Sequence, residues 1–471
     1  LNNTDFSSLS LRKDLLKNIA SLAYVSMTPI QAQSLPHILG GKDVIAQAKT
    51  GSGKTAAFGL GLLEKLNVKK FRVQSLVLCP TRELADQVAK EIRKLARGIH
   101  NIKVLTICGG MPFGPQIGSL EHGAHIVVGT PGRIEEHLRK GKLKLDDVDM
   151  FVLDEADRML DMGFQAALDE IVSYLPQQRQ SLLFSATYSD PIKTIARGMM
   201  NSPIVIEVDD VHDDSSIEQH FYNVDQVVDT DEGGDAGARL RALRILLLHY
   251  HPESSVVFCN TKRETQEVAD ELRSQGFDVL ALHGDLEQRD RDRALVRFAN
   301  KSISILVATD VAARGLDIDA LDVVFNYHIS RELEVHTHRI GRTGRAGSKG
   351  IACTLFNEKD RYKLSLLEDY LAQTITDEAL PPQKLLQRPA FKSAMATLQV
   401  DGGKKQKVRA GDILGALTGE YGIEGKEVGK IQIFDNWAYV AVVRDVAAIA
   451  LKKLGEGKLK GRSFRVRRIR G

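Results

Sequence analysis

The feature that most constrains the fold is a loop, Ala48-Lys49-Thr50-Gly51-Ser52-Gly53-Lys54-Thr55, set between an apolar run, Asp43–Ala46, and a helical stretch, Ala56–Leu66. A glycine-bearing loop that closes a strand and opens a helix belongs to a parallel α/β layer. Gly51 and Gly53 leave backbone N–H groups bare, so a phosphate chain can approach them. Lys54 is placed to reach the terminal phosphates and Thr55 to hold Mg²⁺, and the helix N-terminus adds its positive end. Ala48 stands where the strict pattern has glycine.

Short apolar runs such as Ser75–Cys79 and His125–Gly129 read as buried strands, with helical patterns between them at Leu84–Leu95 and Glu264–Ser274. This alternation predicts an α/β doubly wound sheet. It also occurs twice. Ser75-Leu-Val-Leu-Cys79-Pro-Thr81-Arg82 is echoed by Ser255-Val-Val-Phe-Cys259-Asn-Thr261-Lys262, and the next strand-plus-Thr follows at Thr130 and Thr309, 49 and 48 positions on. The matched spacing predicts two lobes of one fold. We expect lobes at residues 1–208 and 217–376, joined near Val208–Ser216, where Asp209, Asp210, Asp213 and Asp214 crowd together. A second acidic patch, Asp229–Gly237, reads as an exposed loop. Asp377–Gln387, with Pro381-Pro382, leads out of the second lobe.

A third domain is expected over 395–471. Strands near 408–414, 429–434, 437–443 and 463–469 and helices near 415–421 and 445–454 give a β-α-β-β-α-β order. Charge sets this part apart. Residues 400–471 hold 16 Lys/Arg against 8 Asp/Glu, a balance of +8, so with +3 overall residues 1–399 carry −5. A basic domain on a mildly acidic body predicts an anionic partner for the tail. No apolar run approaches the roughly 20 residues that span a bilayer, and no signal-peptide pattern opens the sequence. Cys79, Cys108, Cys259 and Cys353 have no metal-ligand spacing. Membrane and secretory readings therefore fall away, and a reducing cytoplasm is expected.

Mg²⁺ bound to a phosphate loop needs a second protein contact at the end of another strand. Met150-Phe-Val-Leu-Asp154-Glu155 supplies an apolar strand that ends in two carboxylates. Asp154 is placed to hold the metal through water and Glu155 to activate the attacking water. An Asp-Glu pair alone reads as solvated surface, and only the preceding strand and the phosphate loop lift it above that.

Asp154-Glu155-Ala156-Asp157 spells the signature of the DEAD-box RNA helicases, and the chain resembles that family in further motifs taken in order. These are Pro80-Thr-Arg-Glu-Leu84, Gly109-Gly110, Thr130-Pro-Gly-Arg133, Ser185-Ala-Thr187, Val256–Asn260, Gln288-Arg-Asp-Arg291, Ala308-Thr309-Asp310 through Arg314-Gly315-Leu316-Asp317, and His338-Arg-Ile-Gly-Arg342-Thr-Gly-Arg345. Ala23–Gln31, with Phe6 upstream, resembles the family's adenine-reading motif. Ala23 replaces the usual glycine.

The resemblance implies two RecA-like lobes. It implies ATP bound by Phe6, Thr28, Gln31, Ala48, Lys49, Thr50, Gly51, Ser52, Gly53, Lys54, Thr55 and Asp317, with Mg²⁺ on Thr55 and Asp154. Gln31 is then expected to read the adenine edge and Phe6 to stack on its face. Catalysis falls to Lys54, Glu155, Ser185 and Thr187, and to Arg342 and Arg345, two guanidinium forks in a glycine-containing turn of the second lobe. His338 is read as a linker and not as a proton carrier. RNA is expected to meet Thr81, Arg82, Gly110, Thr130 and Arg133 on the first lobe and Thr261, Gln288, Arg291 and Thr309 on the second. Such groups suit phosphate and ribose contacts. Hydrolysis then requires lobe closure, which couples ATP to RNA. An ATP-dependent RNA clamp or chaperone with little strand separation shares all these residues.

Gly457–Arg470 has seven basic residues and no acid. Within it Lys458, Lys460, Arg462, Arg465, Arg467 and Arg468 are the candidate tail contacts to RNA. Trp437 and Tyr439, two apart on a strand, either stack bases or pack in a core. Asp401-Gly-Gly-Lys-Lys405 and Gly411–Gly419 make the tail similar to that of one bacterial branch, DEAD-box protein A. That similarity implies a hairpin of 23S ribosomal RNA as partner, a role in large-subunit assembly, and no obligate protein partner.

Overall fold

The structure is a computed structural model that describes residues 4–48, 51–208, 217–226, 234–313, 321–344, 349–419 and 421–469. Lys49, Thr50, Arg314–Asp317, Arg345 and the acidic residues Asp209–Asp214 lie outside them.

The first sheet contains β1 (Val44–Gln47), β2 (Ser75–Leu78), β3 (Val104–Ile107), β4 (Ile126–Gly129), β5 (Met150–Asp154), β6 (Gln180–Ser185) and β7 (Ile204–Glu207). All pairs are parallel, in the order β3-β4-β2-β5-β6-β1-β7. The inner strands are buried on both sides because helices cover both faces. In β2, Leu76 and Leu78 face one apolar cluster, while Val77 and the adjoining Cys79 face the other.

The second sheet contains β8 (Ile217–Asn223), β9 (Ser255–Cys259), β10 (Val279–Leu282), β11 (Ile305–Thr309), β12 (Val323–Asn326), β13 (Gly350–Phe356) and β14 (Asp377–Glu378). It is again parallel, in the order β10-β11-β9-β12-β13-β8-β14. Adding seven to every strand number of the first order gives the second. The internal echo in the sequence is therefore a repeated RecA-like topology. It extends to the caps: Thr81 and Thr261 each accept from the backbone N–H three residues on, at 3.3 and 3.2 Å, and so open matching helices, Arg82–Leu95 and Lys262–Ser274.

Two local expectations change. The described part of the Asp229–Gly237 patch is helical, since the helix Gly234–Tyr250 starts there. Its first-turn Asp235 accepts from Arg239 at 3.1 Å, an i,i+4 pair that favours helix over loop. In the tail the first strand is β15 (Met395–Val400) and not 408–414, which lies largely within the helix Ala410–Thr418. Asp412 accepts from the Arg409 N–H at 2.8 Å and starts that helix. β16 (Val428–Ile433), β17 (Ala438–Val443), the helix Ala447–Glu456 and β18 (Val466–Arg468) complete an antiparallel sheet in the order β16-β17-β15-β18. This small α+β domain keeps the expected β-α-β-β-α-β order.

The exit segment does not run free. Leu385 and Phe391 are buried in the second lobe's core. That core also encloses Arg239, 1% exposed, which donates to Asp360 at 2.6 Å and to the carbonyls of Tyr327 and Leu355. Arg239→Met should leave Asp360 a buried partner short and cost about 3–5 kcal/mol. Chemical denaturation should show the second lobe's transition moving to lower denaturant with the first lobe's unchanged. An unshifted transition would show that the pair contributes nothing.

Candidate active site and nucleic-acid interface

Parallel strands deliver the loops that follow them to one edge of the sheet. Strand order then sorts the first lobe's candidate residues into two groups. Neighbouring β5, β6 and β1 end in Asp154-Glu155, Ser185 and the phosphate loop. Neighbouring β3, β4 and β2 lead into Gly109-Gly110, Thr130 and Thr81-Arg82.

In the first group, Gly51 and Gly53 have φ of 89° and 92°. A Cβ on Gly53 would lie 2.5 Å from Gln31 Nε2. Gln31, 2% exposed, donates to the Gly53 carbonyl at 3.0 Å and accepts from the Thr28 N–H at 3.0 Å. Its amide thus ties the phosphate loop to the start of the helix Pro29–Leu39. Thr28 Oγ1 is buried without a partner. Phe6 packs into the first-lobe core, edge-on to Tyr24 with ring centroids 6.1 Å apart. Lys54 is buried and donates to the Ala48 carbonyl at 2.6 Å. Ala48 N–H in turn donates to Ser185 O at 3.0 Å, so β6 braces the loop. Thr55 is half-buried in the first turn of the helix Lys54–Lys65.

Asp154 is 3% exposed, and its Oδ1 has no hydrogen-bond partner. Burial pushes its carboxyl up to about 7. Lys54 opposes the shift, and Glu155 and Asp157 add to it. Glu155 sits in the left-handed region, φ 56°, and pairs with Arg158 at 2.8 Å with both side chains buried. Asp157 accepts from the Ala186 N–H at 3.1 Å, which links the carboxylate strand to Ser185-Ala-Thr187. The Thr187 N–H lies 3.4 Å from Ser185 Oγ.

The second group is equally knit. Thr130 Oγ1 accepts from the Gly109 N–H at 3.5 Å. The Arg82 guanidinium lies over Gly110, whose φ is 67°; a Cβ there would fall 1.7 Å from Nη1, so a side chain at 110 would be strained and would displace the guanidinium. Arg133 donates to Met111 O at 2.8 Å and Gln116 Oε1 at 2.9 Å. Gln116 also bonds His137, which stacks on Phe113. Burial first and Arg133 next bring the His137 pKa down to about 4, so the ring stays neutral at physiological pH.

In the second lobe the motifs meet on Arg339. It grips Asp310 with two bonds, 2.6 and 2.7 Å, and reaches Asn260 Oδ1 at 3.0 Å and the His328 carbonyl at 2.9 Å. The strand ends of β9 and β11 and the helix Leu333–Ile340 are thereby fixed, with Thr261 and Thr309 beside them and Arg342 buried just beyond. Arg291 donates to Ala312 O at 2.8 Å, and Gln288 opens the helix Gln288–Ala299 and bonds Asp292. In the tail, Lys458, Lys460, Arg462 and Arg465 are exposed, while Arg467 and Arg468 are half-buried. Tyr439, 4% exposed, faces Arg293 of the second lobe, so its ring is closed to a base; Trp437 is half-buried beside Phe434.

Family models match three stretches: DEAD/DEAH box helicase over 28–195, helicase conserved C-terminal domain over 238–347, and DbpA RNA binding domain over 397–468. The ATP-dependent RNA helicase DbpA of Escherichia coli (strain K12) is 50% identical over 468 residues, which cover 99% of this chain and 100% of that protein. The chain belongs to the DEAD-box ATP-dependent RNA helicases. DbpA of Bacillus subtilis (strain 168) is 35% identical, covering 98% of each. Among solved structures, Saccharomyces cerevisiae Dbp5 bound to RNA and ADP BeF3 is 29% identical, with TM-score 0.71 over 82% of this chain and 99% of that one. The expected fold, family and enzyme class are borne out, as is the tail's place as an RNA-binding domain. Among the described residues no helix is long and apolar enough to cross a membrane.

Three groups in this DEAD-box helicase escaped the sequence reading. Arg158 was legible as a basic residue one helical turn after Glu155. Gln116 and His137 carry no sequence signal, because only the fold brings them to Arg133. The buried carboxyl yields a pH test. Because Asp154 holds its proton more tightly folded than unfolded, its ionisation costs stability progressively as pH rises from about 4 to about 7. Asp154→Asn should therefore match the nucleotide-free wild type at pH 4 and exceed it at pH 8 by up to about 4 kcal/mol. Equal first-lobe stability at pH 8 would contradict the buried-charge assignment.

Proposed function

We propose that the two groups at the first lobe's edge are the ATP half and the RNA half of one machine. Lys54, Ser52 and the glycines cradle the phosphates. Gln31 holds the loop and turns to the adenine edge when ATP arrives, and Phe6 closes the base side. Glu155 activates the attacking water, with Arg158 fixing its carboxylate, and Ser185 and Thr187 relay the phosphate state toward the RNA half. Mg²⁺ suits Thr55 and Asp154: the orphaned, buried Oδ1 of Asp154 is an oxygen donor in want of a cation. When bound, the ion neutralises charge on the phosphates. Arg342 and Arg345 complete the site when the lobes close, and Asp317 takes the ribose. RNA phosphates and riboses lie on Thr81, Arg82, Gly110, Thr130 and Arg133, then on Thr261, Gln288, Arg291 and Thr309. The observation that carries this reading is the strand order, which sets Asp154, Ser185 and the loop that leads to Lys54 at the ends of adjacent strands.

The tail domain recruits the helicase to a structured RNA, a 23S ribosomal hairpin by family resemblance, during large-subunit assembly in the cytoplasm. The +8 balance of residues 400–471 supports it. Phosphate and ribose contacts on the lobes carry no sequence information, so preference resides in the tail.

Glu155→Gln should preserve ATP and RNA binding while slowing turnover by at least a hundredfold, and Lys54→Ala should weaken nucleotide binding itself. Arg342→Ala should cut RNA-stimulated ATPase by about 10³-fold or more and spare nucleotide affinity. Steady-state ATPase with labelled-nucleotide binding checks all three. Normal turnover in Glu155→Gln removes it from the mechanism. For the tail, Arg465→Glu in the full chain should reduce the preference for a 23S hairpin fragment over random RNA of equal length. An unchanged preference would return specificity to the lobes.

A further inference from the structure

The second lobe and the tail domain share a contact face. Thr397 Oγ1 of β15 lies 3.2 Å from Asn300 Nδ2 and 2.7 Å from Ser302 Oγ. Asp278, beside β10, accepts from the Ser393 N–H at 2.8 Å and from Arg444 at 2.5 Å. Beside these contacts is a cleft of about 290 Å³ whose walls include Asp278, Arg297, Ser302, Thr397, Arg444 and Arg468.

Its charges do not balance. Three guanidiniums line it with one carboxylate, and that carboxylate is already engaged by Arg444 and Ser393. Arg297, at the end of the helix Gln288–Ala299, is 9% exposed, and its Nε has no hydrogen-bond partner. Burial lowers its pKa to about 10. Asp278 resists this, while Arg273, Arg293 and Arg444 add to it. The group stays cationic at neutral pH, desolvated and among like charges. Packing alone does not favour such an arrangement; an anion in the cleft offsets it.

We propose that this cleft is a phosphate site, in which Arg297, Arg444 and Arg468 hold one backbone phosphate of bound RNA and so join the tail domain's RNA to the second lobe. Guanidinium forks match phosphate oxygens in pairs. The occupant is RNA and not an acidic protein because β18, which supplies Arg468, lies within the basic stretch that begins at Lys458. The helix that carries Arg297 in its last turn has Gln288 and Arg291 in its first, so one rigid element connects this phosphate with the second lobe's expected RNA contacts. The proposal rests on the reading that the tail binds RNA, and adds a second-lobe residue to that interface.

The test measures binding of a fluorescent 23S hairpin fragment to the full chain across a salt series. Arg297→Gln should weaken binding about five- to twentyfold and reduce the slope of log affinity against log salt by about one. Arg297→Lys, which keeps the charge, should restore the slope. Thr397→Val, which removes contacts between the domains but no charge, should leave the slope unchanged. Arg468→Gln, at a half-buried position, serves if Arg297→Gln does not fold. Inorganic phosphate at constant ionic strength should weaken RNA binding to the wild type more than to Arg297→Gln. Affinity and slope unchanged in both arginine variants would overturn the proposal and leave the cleft as a domain contact or the seat of a protein carboxylate. Inorganic phosphate that binds the cleft without affecting RNA affinity would also overturn it, in favour of a small free anion. Wild type that shows no salt-dependent binding, and no response to Arg465→Glu, would instead defeat the reading beneath it.

Discussion

A strand in a parallel sheet leaves at its carboxyl end, and all its neighbours leave at the same edge. In this chain that constraint acts twice, through two sheets of one topology. Residues from six separate stretches of the first lobe need no long-range instruction to meet, because each follows a strand. What each position then requires is chemical fit: glycine at 110 so that Arg82 can lie across the backbone, and a carboxylate at 154 facing Lys54.

The same edge brings the two candidate groups of the first lobe side by side. The two candidate groups share one sheet, adjoin at the paired strands β2 and β5, and are each braced internally by hydrogen bonds. Asp157 holds Ala186, Ser185 holds Ala48, and Thr130 holds Gly109. The second lobe reaches a comparable result through one fully buried guanidinium. Arg339 ties Asp310 to Asn260, so the ends of β9 and β11 cannot move independently.

The lobes were legible in the sequence because apolar runs, threonine caps and motif order repeat at near-equal spacing, and burial of both sheet faces writes itself as continuous apolar strands. The phosphate loop and Asp154 were legible for the same reason, since each adjoins such a strand. The tail was harder. Met395–Val400 alternates polar Thr397 and Gln399 with apolar residues, and Thr397 turns to the face that meets the second lobe, so it gave no continuous apolar run to find. Gly234–Gly237 looked like a loop because its two glycines and Asp235 hide a helix start at which Asp235 pairs with Arg239. Arg297 was invisible among the charged residues of its helix; only the fold buries it.

The central claim is that ATP and RNA each favour one and the same closed state. The most direct test is a thermodynamic cycle on the full chain. RNA affinity is measured with and without a non-hydrolysable ATP analogue and Mg²⁺, and analogue affinity with and without RNA. The account predicts that each ligand tightens the other by the same factor, about 5- to 150-fold. Affinities that do not depend on the other ligand would contradict it.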